Sequence, residues 1–338
     1  MNTKFKIAII GAGVNGLYLA WKLAERGYFV KVFEKNEMIK DKVCSGLFSE
    51  RLIEFIPQSQ KLIEKEIKET IIHFPKKTIT LNFSKKFYLI SHTELNKMLK
   101  NLAEEAGAII EFKNGFSNFK RKGEKYLLNN DLFDKIIGCD GALSSLRKFL
   151  SLPEPKYRLG ILSYVKDKNV IDSNSNIVET WAYQNNFKFG FISQGEGFIW
   201  KIRRKDKIEY GTMGDIFQAK YNFNRFIKEN KIIGVKELKA RLIPQGLILP
   251  LSNDITLSGD AAGLTKPWSG GGIVWGLIAN EILLKNFPDF SQYQKEVKRF
   301  FLPRIIFSKM AIKMVYFLGF KFPFVLPKKV RIESDFLF

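Results

Sequence analysis

The chain has 338 residues, a net charge of +21 and 46% hydrophobic residues, enough for a packed core in one large domain or two. Two cysteines exclude a disulfide framework and suit a reducing cytosol, and two histidines without paired-ligand spacing exclude a zinc site. The basic excess fits nucleic acid, an anionic membrane surface or a phosphorylated ligand; with no nucleic-acid module in the sequence, the first is set aside. The N-terminal apolar run is short and ends in a glycine turn, so no signal peptide is expected, and no run reaches the ~18 uncharged apolar residues of a membrane span.

FKIAII, at 5–10, predicts a buried parallel strand ended by glycine. VNGLYLAWKLAERG follows with Leu17, Ala20, Leu23 and Ala24 on one helical face, and Gly27 as its stop. FVKVF predicts the second strand, with Glu34 at its tip. Strand, G-x-G-x-x-G, helix, strand and acid together predict a dinucleotide site. Gly11 permits the tight turn, Gly13 the approach of a pyrophosphate, and Gly16 the packing of helix on strand. The helix N-terminus offers free N–H groups and partial positive charge to the phosphates. A carboxylate at Glu34 accepts from ribose hydroxyls and repels a 2′-phosphate, so the ligand is FAD or NAD rather than NADP.

Further along, Cys44 sits in a loop, where a lone cysteine reads first as a small hydrophobe. SERLIEFI is helical. FYLISHTELNKMLKNLAEEAG predicts a strand, a cap and a helix with Leu95, Met98, Leu99 and Leu102 on its apolar face, followed by the strand AIIEF. His92 stands just before that helix and by default is a surface residue. KIIGC is the next strand, and Asp140 and Gly141 turn it into a short helix that Asp140 is placed to cap.

From Arg158 to about Ile248, alternating aromatic-rich segments separated by polar turns predict an antiparallel sheet. Trp181, Tyr183, Phe189, Phe191, Phe198 and Trp200 pack its core, and some of them line an apolar cavity. DITLSGDAAG is a last strand ending at Asp260, and WSGGGIVWGLIANEILL opens a helix. Glycines there bring helix N–H groups against a ligand without intervening side chains. Asp260 is suited to a ribityl hydroxyl. The first glycine loop therefore holds the AMP half of FAD and the second its flavin half.

Four blocks, IIGAGVNGLYLAWKLAERG with VFEK, KVCSGLFSERL, IIGCDGALSSLRK and LSGDAAGLTKPWSGGGIVWGLIAN, resemble the geranylgeranyl reductase family of flavoproteins, within the wider p-hydroxybenzoate-hydroxylase-like class. The resemblance implies an α/β fold: a Rossmann-type FAD-binding domain (1–157 with 249–289), an inserted antiparallel-sheet substrate domain (158–248) and a basic, apolar C-terminal helical segment (290–338). It implies FAD contacts at Gly11, Gly13, Asn15, Gly16, Glu34, Cys44, Ser45, Leu47, His92, Phe116, Asp140, Asp260, Gly271, Gly272 and Ile273. It places Phe198, Trp200 and Trp268 in the substrate pocket, and raises Cys44 to a participant near the reacting alkene. Relatives usually carry Arg where this chain has His92, and an aromatic-x-Trp-x-Phe-Pro motif where Ile202 and Arg203 depart from it.

The implied activity is reduction of isolated C=C bonds of an isoprenoid chain in membrane lipid biosynthesis, with hydride from reduced flavin and electrons from NAD(P)H or ferredoxin. The alternative is an FAD-dependent monooxygenase or halogenase acting on an aromatic or lipid substrate. The expected location is cytoplasmic; the apolar segment after 300 carries Arg304, Lys309, Lys313, Lys321, Lys328, Lys329 and Arg331 without an acid between them, which suits either peripheral contact at the inner face of the membrane or an ordinary amphipathic helix covering the pocket.

Overall fold

A computed structural model describes residues 5–40, 42–166, 176–184, 196–235, 237–335 and 337. Phe189 and Phe191, assigned from sequence to the sheet core, lie outside the described residues. In chain order the elements begin β1 (Lys6–Ile10), α1 (Val14–Glu25), β2 (Phe29–Phe33), β3 (Leu47–Ser49), α2 (Arg51–Phe55), β4 (Ile63–Phe74), β5 (Lys77–Ile90), α3 (His92–Glu105) and β6 (Ile109–Glu111). Next come β7 (Lys120–Lys122), β8 (Lys125–Leu128), β9 (Asp131–Phe133), β10 (Lys135–Gly138), α4 (Ser145–Phe149), β11 (Lys156–Lys166), β12 (Ile177–Gln184), β13 (Glu196–Arg203) and β14 (Lys207–Gly214). The chain continues through α5 (Ala219–Glu229), β15 (Lys239–Gln245), β16 (Ile255–Leu257), α6 (Ile273–Asn286), α7 (Phe290–Lys321) and β17 (Lys329–Ile332).

Five strands form a parallel sheet in the order β16-β10-β1-β2-β6. Parallel strands covered on both faces need continuous apolar runs, and β1 supplies one: Ile7, Ala8, Ile9 and Ile10 are all buried. Each fully buried Ile side chain stabilises the fold by about 1.5–3 kcal/mol. Helix α1 packs on α3 and α6. Its buried face includes Leu17, Ala20, Leu23 and Ala24, as its spacing predicts. The helix α3 caps itself with Ser91, whose hydroxyl accepts from the Glu94 N–H, and buries Leu95 and Leu99.

The second sheet has nine strands, in the order β15-β11-β14-β13-β12-β4-β5-β17 with β3 also on β5. It is mostly antiparallel, but β12 runs parallel to β4 and β17 parallel to β5. The sequence pattern starts this sheet at Arg158 and places residues 63–90 in the FAD-binding domain. Instead β4 and β5 extend the sheet, and the C-terminal segment, helical as far as Lys321, supplies its edge strand β17. β4 carries no clear strand signal in the sequence, because charged side chains fill its exposed positions and two register shifts break its alternation. A small antiparallel sheet, β7-β8-β9, packs on the parallel sheet through an edge-to-face contact of Phe133 on Phe33, 5.8 Å between ring centres.

Candidate active site

The first glycine loop joins β1 to α1 and is built by close approach of backbone. Gly11 has φ +103°, and a Cβ there would lie 2.6 Å from the Cys139 carbonyl oxygen at the end of β10. A Cβ at Gly16 would collide with the Gly11 carbonyl, so α1 sits on β1 only because Gly16 has no side chain. At the tip of β2, Glu34 accepts from the Ala12 N–H at 2.9 Å and from the Asn36 N–H at 2.9 Å. Its carboxylate thus lies against the loop, where a ribose fits. Phe116 stands close by in sequence to Asn114, whose N–H donates to the Glu34 carbonyl, and packs against Phe149.

Asn15 explains how two remote glycine loops become one site. The Asn280 side chain of α6 donates to the Asn15 carbonyl at 3.1 Å and to its Oδ1 at 3.3 Å. Ser258, just after β16, donates to the Asn280 Oδ1. Since β10 lies between β1 and β16, both loops emerge at one end of the same sheet.

The second loop runs from Ser258 to Ile273. Asp260 is ion-paired to Arg241 of β15 at 2.6 Å. Gly272 is the residue before α6, and a Cβ there would approach the Asp260 Oδ1 to 2.6 Å. The backbone of Gly271, Gly272 and Ile273 lines a cavity of about 510 Å³. That cavity is also lined by Gly13, Asn15, Cys44, Ser45, Leu47, His92, Phe198, Trp200, Asp260 and Trp268, which gathers most of the sequence-predicted site residues around one space. Gly11, Gly16, Glu34, Phe116 and Asp140 lie outside its lining. Asp140 accepts from the N–H groups of Ser145 and Leu146 at 2.7 and 3.2 Å, and so caps α4, while its neighbours Cys139 and Gly141 reach the cavity. His92 is buried, with its Nδ1 at 3.1 Å from the Asn96 amide, and is no surface residue.

Charged residues that no motif marks complete the site. A Cβ at Gly13 would lie 2.9 Å from the Lys42 Nζ, so this ammonium stands over the first glycine loop. Burial, and then the nearby Arg241 cation, push the Lys42 pKa down. Two cations facing one space fit a pyrophosphate, which would relieve their repulsion. Arg204, just after β13, donates to the Ser45 carbonyl and pairs with Glu209 at 2.8 Å; Glu209 also accepts from the Trp200 indole at 2.9 Å. The loop carrying Cys44 is thereby fixed to the sheet. In the second glycine loop Lys266 pairs with Asp335, which also accepts from Ser49 at 2.6 Å and pairs with Arg51 at 3.1 Å. Burial opposes ionisation of Asp335, but Lys266, Ser49 and Arg51 outweigh it and hold the carboxyl below the usual range. These partners are separated by up to hundreds of residues, so sequence spacing carries no signal of them. The Cys44 thiol accepts from the Gly46 N–H at 3.4 Å, and burial outweighs that bond and pushes its pKa up.

The glycine cradles, the acid at β2 and the paired cations fit a dinucleotide with a flavin ring at the Gly271–Ile273 end. Comparison with known proteins supports FAD as the cofactor. The profile of the family described as FAD binding domain matches residues 4–221. Digeranylgeranylglycerophospholipid reductase of Methanocella arvoryzae is 22% identical over 314 residues, 83% of this chain and 77% of its own. A geranylgeranyl bacteriochlorophyll reductase-like structure from Thermoplasma acidophilum superposes with a TM-score of 0.73 at 19% identity, over 92% of this chain and 87% of that one. A point mutant of the halogenase PltM in complex with FAD superposes with a TM-score of 0.72 at 12% identity, over 95% of this chain and 78% of that one. Since the profile covers well over half of its length, the chain belongs to the FAD binding domain family of oxidoreductases, with FAD as its cofactor.

Proposed function

We propose that this flavoprotein saturates isolated C=C bonds of an isoprenoid chain attached to a lipid. The observation that carries the reading is the character of the cavity beyond the cofactor loops. From Cys44 and Trp200 it continues along Ile72, Leu81, Phe87 and Val178 to Val330 and Ile332 of β17, and to Ile312 and Val315 of α7. A long apolar chain fits such walls, which exclude water from the reacting carbons. The likeness to the Methanocella arvoryzae reductase supports the same reading.

When bound and reduced, FAD supplies the hydride, and each saturated bond also takes one proton. Cys44 is the proposed source of that proton: its raised pKa keeps the Sγ protonated at neutral pH, and it lines the cavity. Phe198, Trp200 and Trp268 orient the chain against the flavin side. Arg204 positions the Cys44 loop through the Ser45 carbonyl.

The test is anaerobic. The purified protein is reduced with dithionite and given a geranylgeranylated glycerophospholipid, and mass spectrometry follows gain of hydrogen pairs. Saturated products support the reading. Lipid left unchanged, with flavin that reoxidises only on admission of O₂, moves the assignment to a monooxygenase or halogenase, which the superposition on a halogenase favours.

A further inference from the structure

Ten of the large apolar side chains exposed among the described residues fall between Leu302 and Val325. They stand on one side of α7 and on the turn after it. Ile306, Phe307, Met310 and Met314 are 52–65% exposed, and Phe324 is 78% exposed. Nine basic residues and no acid lie between Val297 and Ile332. Lys309 is exposed beside Lys156 and Lys313, and local desolvation, with the two neighbouring cations, pushes its pKa down. An apolar stripe flanked by cations that repel one another awaits a partner that is both greasy and negative.

The other side of α7 faces inward. Ser308, Ala311, Ile312 and Tyr316 line the cavity, and Val315 belongs both to the cavity and to the exposed set. The helix is thus a single wall between the cavity and the exterior. Among the described residues no helix is long and apolar enough to cross a membrane.

We propose that the outer face of α7, with the turn Pro323–Val325, docks onto the surface of an anionic lipid bilayer, so that a lipid-borne chain enters the cavity past Val315. A second copy of this chain is a poor occupant, because pairing the two faces would set one group of cations against another. Apolar side chains entering the acyl boundary and cations at the headgroups divide the work. The lipid-delivery clause rests on the proposed isoprenoid substrate, but surface binding can be scored without any turnover.

The experiment is flotation of the full-length FAD-loaded protein with vesicles of phosphatidylcholine alone or mixed equally with phosphatidylglycerol. The expected result is binding to the mixed vesicles and at least tenfold weaker binding to phosphatidylcholine. Each basic residue near an anionic surface contributes about fivefold in affinity. Lys309→Glu with Lys313→Glu is therefore expected to reduce binding more than tenfold, and so is Phe307→Ser with Met310→Ser and Met314→Ser. The flavin spectrum reports that each variant is folded. Equal binding to both vesicle types, or binding unaffected by either set of changes, overturns the proposal. So does failure to float combined with a dimer in sedimentation velocity that the serine variant dissociates, which would make the occupant a second copy. Vesicle binding without lipid reduction would leave the docking surface standing and sink the reductase reading alone.

Discussion

Cys44 is half-buried and Asp335 fully buried, and their surroundings drive their titration in opposite directions. Burial leaves Cys44 a thiol where a thiolate would be usual at high pH. If it donates the proton, Cys44→Ala should retain the flavin spectrum and lower turnover by about a hundredfold, within the range of general-acid catalysis. Wild-type turnover should also fall on an alkaline limb above the ordinary thiol range of about 8.5, a limb missing from the variant. A change of only a few-fold, with the limb retained, would return Cys44 to a packing role. Asp335 is instead held ionised by Lys266, Ser49 and Arg51. Removing one member of a buried ion pair costs about 3–5 kcal/mol, so Asp335→Asn should destabilise the fold by about that much at neutral pH. A carboxyl whose folded pKa is depressed stabilises above its unfolded pKa and loses that contribution as pH falls through the folded one. The gap between Asp335→Asn and wild type should therefore close below about pH 3.9, which denaturant melts across acid pH would measure.

Among the elements, those legible in the sequence are those whose pattern is local. KIAII, FVKVF and KIIG announce parallel strands because both their faces are covered, and the glycine loops announce themselves because only glycine fits there. β4 and the first part of β5 have one face wet and an alternation interrupted by bulges, so the same rules find only the end of β5, FYLI, and not its partner. Lys42, Arg204 and Arg241 were illegible for a different reason: a single charged residue acquires meaning only from partners brought to it by topology. The loop between β2 and β3 tests this point. Arg204→Ala removes the donor to the Ser45 carbonyl and leaves the fully buried Glu209 with only part of its partners. It should cost about 3–5 kcal/mol and release the Cys44 loop, seen as faster alkylation of Cys44 at a pH where the wild-type thiol reacts slowly. Unchanged alkylation in a folded variant would show that the loop holds itself.

At the scale of the whole molecule, the large sheet draws on four separated stretches of chain: 47–90, 156–214, 239–245 and 329–332. An excised piece spanning 158–248, the unit that sequence alone proposed as a domain, would lack β4 and leave the β12 edge unpaired. Such an edge templates association with other chains. The fragment should therefore precipitate or remain unstructured by circular dichroism, and a folded monomer would contradict this view of the sheet.

The parallel pairing of β17 with β5 has a further consequence, in time rather than in space. The Lys85 backbone N–H finds its acceptor, the Ser334 hydroxyl, 249 residues later in the chain. At the ~5–20 residues per second of protein synthesis, roughly tens of seconds separate the two partners. Throughout that interval the nascent chain carries an open strand edge, and the Lys266 ammonium in the second glycine loop still waits for Asp335. In the cell, this sheet and the pocket it walls can be completed only after β17 and Asp335 have left the ribosome.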